Sequence, residues 1–248
     1  MQRLFIWVFL FSSVHVFAQR KYFQQDVDYT IDVTLNDKSH ILHAFEKINY
    51  TNHSPDTLRF IFFHLWPNAY RNDRTAFSEH MTENRETRFY YSKAGERGFI
   101  DSLKFKVNNE EVNVSEYNNH TDIVLLELLS PLLPGGSIEI STPFRVVLPE
   151  VFSRLGHHEQ AYQISQWYPK PAVYDLRGWH PMPYLDQGEF FSEYGNYTVN
   201  ITLPANYVTA ATGDLQTESE KQFLNTRILR NDTTLLTKLA KNPASDPN

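Results

Sequence analysis

The sequence predicts an all-β fold: an antiparallel β-sandwich domain with one short helical excursion. Three observations predict it. Apolar and polar residues alternate with a period of two over several stretches, the spacing that turns one face of a strand inward. Clusters of turn-forming residues separate those stretches. No long amphipathic helical pattern and no internal repeat interrupts them.

Tyr29, Ile31, Val33 and Leu35 alternate with Thr30, Asp32, Thr34 and Asn36 and predict the first strand. Leu42, Ala44, Ile48 and Tyr50 carry the second. Asn52 to Asp56 is rich in residues that set turn geometry. Leu58 to Leu65 is apolar on both faces, as expected of a strand covered on two sides. Trp66 to Gly98 breaks the alternation and reads as a long excursion, with a helix over Ala76 to Arg85. Strands resume at Ile100 to Val107, Val112 to Val114, Ile123 to Leu128 and Ser137 to Leu148. Asn108-Asn109 and Pro134-Gly135-Gly136 supply turns between them. Tyr197, Val199, Ile201 and Leu203 form another alternating set, and Tyr207 to Thr212 reads as its return strand. Gln222 to Leu239 reads as a final strand pair around Asn231-Asp232.

The 248 residues are 41% hydrophobic and 15% aromatic, enough for a sizeable core and unlike a disordered chain. A net charge of −6 without a basic stripe argues against nucleic acid, whose phosphates need clustered Lys and Arg. Residues 1–18 read as an export signal. Arg3 gives a positive start, Leu4 to Phe11 an apolar core, and Val16 and Ala18 a small-residue cleavage site. No later apolar run is long enough to span a membrane, so the mature chain is expected to be soluble and periplasmic or extracellular. The absence of cysteine removes thiol catalysis and Cys-ligated zinc.

His158-Glu159 begins a zinc-helix pattern, but Tyr162 stands where the second histidine of H-E-x-x-H belongs. The residues read as a polar loop ahead of a strand. His40 and His43 lie three apart, which on a strand puts them on opposite faces, as solvated side chains rather than metal ligands. Asp175, Asp186, Glu189 and Glu193 share one segment and offer a possible acid–base pair. No catalytic residue and no metal ligand is assigned. From Trp167 to Tyr197 aromatic residues crowd the chain. They suit either a packed wall or a platform for sugar or peptide.

Two blocks carry a resemblance. The first is FFHLWPNAYRNDRTAF, Phe62 to Phe77. The second is QWYPKPAVYD, Gln166 to Asp175, followed by Gly178-Trp179 and by GEFFSEYGNYTVNITLPANYVTAATGDL, Gly188 to Leu215. They resemble the N-terminal β-domain of aminopeptidase N-type (gluzincin) zinc metallopeptidases, in the branch found in exported bacterial enzymes. The resemblance implies such a domain, a saddle-like antiparallel β-sandwich, over residues 22–215, with 216–248 as a tail or the start of a connection. It also implies a partner, a thermolysin-like catalytic domain that holds the zinc and acts on peptide substrates. A family glutamine that reaches the substrate's amino group maps best to Gln160, with Gln163 and Gln166 as competitors. Trp167, Tyr168, Trp179, Phe190 and Phe191 are expected on the surface facing that partner. The H-E-x-x-H motif is absent from these 248 residues. The chain alone is therefore expected to be inactive and without a cofactor, a fragment or truncation of the parent enzyme. The rival expectation is a self-sufficient secreted β-sandwich that binds peptide or glycan through its aromatic surface.

Overall fold

The structure, a computed structural model, describes residues 22–241. The expected export signal lies outside them. The chain divides into two compact units, Met1–Ala205 and Asn206–Asn248.

The first unit is built of strands. In chain order they are β1 (Asp26–Asn36), β2 (Ile41–Thr51), β3 (Leu58–His64), β4 (Phe99–Asp101), β5 (Lys106–Val107), β6 (Glu110–Glu111), β7 (Val114–Tyr117), β8 (His120–Leu132) and β9 (Ser137–Val147). Then come β10 (Leu155–His158), β11 (Ala161–Ile164), β12 (Lys170–Pro171), β13 (Tyr174–Asp175), β14 (Gly178–Trp179) and β15 (Tyr197–Thr202). One sheet runs β15-β1-β2-β9-β5-β6, with β4 also paired to β9, and a second runs β12-β3-β8-β7. β10–β11 and β13–β14 form separate hairpins.

The main core contains the inward residues that alternation predicts. Val27, Tyr29, Ile31, Val33 and Leu35 of β1 join Ile48 and Tyr50 of β2, Ile61 and Phe63 of β3, and Ile140, Phe144 and Val146 of β9. β3 is covered on both faces, because Phe62 packs the other way with Ile123 and Ala172. The Asn52 turn is closed by its own side chain. Oδ1 accepts from Ser54 N at 3.0 Å, and Nδ2 donates to the Asp56 carbonyl at 2.8 Å. The helix of the excursion, α1 (Ala76–Glu83), starts where Thr75 Oγ1 accepts from Ser78 N at 3.3 Å.

Four expectations need correction. The expected strand Ile100–Val107 is two short strands, β4 and β5, which pair with different stretches of β9. β15 forms as expected but pairs with β1 in parallel. Its apolar row is open, with Tyr197, Val199 and Ile201 all about 40% exposed or more. Tyr207 to Thr212 forms no strand. The described residues of the second unit hold no strand pair but a helix, α2 (Glu218–Lys241). Its run of Glu, Lys, Gln, Leu and Arg favours helix, and Glu218 and Glu220 suit the positive end of the helix dipole. Asn231-Asp232 lacks the glycine that a tight hairpin turn prefers, so nothing there breaks the helix.

Candidate functional site

The two blocks that carry the resemblance meet in space. β12 lies antiparallel to the end of β3, with Lys170 opposite His64 and Pro171 opposite Phe63. Ala172 N donates to the Phe62 carbonyl at 2.8 Å. The chain beyond is tied to the same strand and its loop. Met182 N donates to His64 Nε2 at 3.1 Å, and Trp66 Nε1 donates to the Met182 carbonyl at 3.1 Å. Tyr184 N donates to the buried Asp122 carboxylate at 2.7 Å, while Tyr70 and Tyr184 share a hydroxyl bond of 2.8 Å.

This seam contains charge. Lys170 is buried, and its ammonium lies 4.6 Å from the Trp66 ring centre and 4.9 Å from that of Tyr168. It donates to Gln166 Oε1. Burial lowers the Lys170 pKa to about 7, against the opposing pull of Glu46. Glu46 on β2 is fully buried, and no hydrogen bond reaches either carboxyl oxygen. Burial holds its pKa well above the usual carboxylate range, outweighing the attraction of Lys170. His64 stacks on Trp66 at 4.6 Å, and burial, with Lys170 nearby, lowers its pKa to about 3. Its Nε2 accepts a hydrogen bond, so the neutral ring carries its proton on Nδ1, which is buried.

Glu46 and Lys170 are the residues that sequence reading passed over. The signal for Glu46 was present: in Leu42-x-Ala44-x-Glu46-x-Ile48-x-Tyr50 a carboxylate occupies an inward position of an otherwise apolar row. Lys170 had only its place between two prolines in an aromatic stretch, which does not reveal burial.

The expected site residues separate. Gln160 lies in the turn of the β10–β11 hairpin and Gln163 on β11, both exposed. Gln166 has φ +55 and is half-buried beside Lys170. Trp167 packs on Phe144 with ring centres 5.9 Å apart. Tyr168 donates to the Tyr197 hydroxyl at 3.2 Å. Trp179 packs against Tyr174 at 4.9 Å and Phe62 at 5.9 Å. Phe190 lies 4.7 Å from Trp66, with the Arg154 guanidinium 5.0 Å from its ring centre. Four of the five rings thus pack half-buried against the chain's own core, and Phe191 is exposed. The open apolar surface of this stretch belongs instead to Leu176, Leu185 and Phe191.

Of the four carboxylates in that segment, two come together. His180 Nε2 lies 2.8 Å from Asp175 Oδ1. Glu193 is buried and accepts from Tyr174 N at 3.2 Å. Burial first, then the Asp175 charge, raises the Glu193 pKa to about 7. Asp175 is held below its usual range by His180 and by the Arg177 amide, against the opposing effect of burial. Asp186 and Glu189 take no part in this group. Among the described residues no three His, Cys, Asp or Glu side chains gather to hold a metal ion. His158-Glu159 is not helical: Glu159 has φ +50 at the hairpin turn, and Tyr162 returns along β11. His40 is not a strand residue either, but lies half-buried in the turn after β1 with φ +54.

No family model matches the chain. No curated protein matches it. Among solved structures it is similar to the M1 zinc metallopeptidase from Deinococcus radiodurans, at 17% identity and a TM-score of 0.44, over 78% of this chain and 36% of that one. A mutant of the Deinococcus radiodurans enzyme bound to a Tyr-Ser-Ala substrate aligns with the same identity, coverage and score. A two-domain M1 zinc metallopeptidase mutant bound to L-arginine aligns at 17% identity and a TM-score of 0.43, over the same shares of each chain. The chain thus spans about a third of the length of the metallopeptidase structures it resembles.

Proposed function

We propose that this chain is the N-terminal, non-catalytic β-domain of an exported aminopeptidase N-type zinc metallopeptidase, walling the cleft in which the whole enzyme removes N-terminal residues from peptides. The observation that carries the reading is the seam. The two blocks of family-like sequence are far apart in the chain, yet they meet as hydrogen-bonded neighbours at β3 and β12. Sequence features that share one structural role are expected to converge in this way.

The sequence has no H-E-x-x-H, and no ligand group gathers among the described residues. Zinc and the hydrolytic step are therefore assigned to the remainder of the proposed enzyme. The rival reading, an aromatic binding platform, draws no support from rings that pack on the core.

Reading the gene past codon 248 tests the proposal first. An H-E-x-x-H frame is expected, in continuation or close by. The full protein should release amino acids from aminoacyl-p-nitroanilides in a zinc-dependent manner, and deletion of residues 22–205 should abolish that. A natural stop with no such frame nearby, or activity untouched by the deletion, would overturn it.

A further inference from the structure

The β10–β11 hairpin is fastened to the β1–β2 turn by a cluster the proposed function does not use. The His40 and His157 rings stack face to face, with centres 3.6 Å apart and planes 6° from parallel. His40 can present its ring there because its backbone adopts the left-handed region, which histidine tolerates better than most residues. Tyr162 closes the cluster from β11. Its hydroxyl donates to the Asp37 carbonyl at 3.2 Å and lies 2.8 Å from His40 Nδ1, whose N–H is then the donor. At the hairpin's base, His157 N donates to the Pro149 carbonyl at 2.9 Å and Val151 N to the His157 carbonyl at 3.1 Å. The approach there is close: a Cβ at Gly156 would lie 2.8 Å from the Glu150 carbonyl oxygen.

We infer that His40 and His157 form a proton-sensitive latch, which holds the hairpin to the β1–β2 turn while both rings are neutral and loosens it in acid. A stack at 3.6 Å has no room for two like charges without repulsion. His157 Nδ1 is also buried, which opposes placing a charge on the ring. The groups facing His157 are His40 from the β1–β2 turn, Tyr162 from β11, Glu150 from the preceding segment, and the adjacent His158 and Glu159. Glu150 and the Glu159 backbone favour the charged ring, whereas burial, His40 and His158 oppose it. The opposing set prevails, led by burial, and the His157 pKa is lowered from its ordinary 6.5. The fold therefore favours neutral His157. That stabilisation is complete well above pH 6.5 and is lost as pH falls through the lowered value. The inference goes beyond the proposed function and does not depend on it.

Amide hydrogen exchange on the mature chain, corrected for intrinsic rates, tests the latch. Protection over Leu155–Ile164 should fall at least tenfold between pH 7.5 and pH 5.0, while amides of β2 and β9 keep theirs. The variant His157→Phe, which keeps a stacking ring and cannot titrate, should show no such fall. Equal protection at both pH values, or the same loss in His157→Phe, overturns the inference. If that variant does not fold, imidazole NMR titration of the wild-type chain decides. His157 should protonate below the ordinary imidazole value of 6.5. A His157 curve at or above 6.5 would refute the latch.

Discussion

Replacing Glu46 by glutamine should stabilise the protein progressively as pH rises, and the size of the effect follows from burial. Glu46 is fully enclosed, receives no hydrogen bond at either oxygen, and has its pKa held well above 4.5 mainly by desolvation. The folded carboxyl keeps its proton where the unfolded one has lost it. A raised folded pKa gives stability that is complete below 4.5 and declines as pH rises toward the folded value. The loss runs at about 1.4 kcal/mol per pH unit. The wild-type chain thus gives up stability from this one group over the whole interval between 4.5 and its raised folded value. Glutamine has nearly the same shape and no proton to lose. Urea unfolding at pH 4, 5, 6 and 7 measures the difference, taken as variant minus wild type. At pH 4 it should be within about 1 kcal/mol of zero, reporting only the change from carboxylic acid to amide. Above pH 4.5 it should climb with the stated slope. A difference that stays constant with pH would refute the reasoning, because Glu46 would then be ionised in the fold, with Lys170 compensating its charge.

Three further predictions rest on separate contacts. Glu193→Gln should remove a decline in stability between pH 4.5 and about 7, of at most ~1 kcal/mol per pH unit given solvent screening; chemical denaturation across that window measures it. Tyr184→Phe removes the buried hydroxyl bonded to Tyr70 and should cost ~1 kcal/mol in the same assay at pH 7. Gly195→Ala would put a Cβ 1.7 Å from the Val27 carbonyl oxygen; a melting temperature lowered by several degrees, with lost amide protection along β15, is expected, and unchanged protection would refute the close approach.

The sheets were legible in the sequence wherever one face of a strand is buried and the other is wet. β1 and β2 show this, and β3 was legible by the opposite sign, an unbroken apolar run covered on both sides. Less was legible where pattern and environment part. β15 has the alternation of a buried strand, but its apolar row is open and its partner is β1 in parallel, so periodicity gave the strand and neither its pairing nor its burial. In α2, spaced leucines mixed with Glu, Lys and Arg fit a helix, and the strand reading gave too much weight to one Asn-Asp pair. The candidate site was legible as a segment but not as a geometry. Aromatic density marks where rings accumulate, and only long-range bonds such as Trp66 to Met182 and Tyr184 to Asp122 decide that they turn inward. The His40–His157 stack joins residues 117 positions apart and had no local signature at all.

The charged seam poses a choice between stability and definition. Buried ionisable groups that lack close partners cost stability, and replacing such a set by apolar residues of similar volume often gains 1–4 kcal/mol. Glu46→Met combined with Lys170→Met should accordingly raise stability at pH 7 by ~1–4 kcal/mol over wild type. Lys170→Met alone also removes the hydrogen bond to Gln166 and the cation held between Trp66 and Tyr168, and it leaves Glu46 without its nearby positive charge. The double variant gives up the same polar tether. If that tether fixes the register of β12 on β3, amides from Lys170 to Tyr184 should exchange faster in the double variant even as global unfolding becomes harder. Urea unfolding and hydrogen exchange on one sample separate the two effects. A double variant less stable than wild type would mean that the pair's attraction outweighs its desolvation. A more stable one with unchanged exchange would show that the aromatic packing and backbone bonds of the seam set its register without the charges.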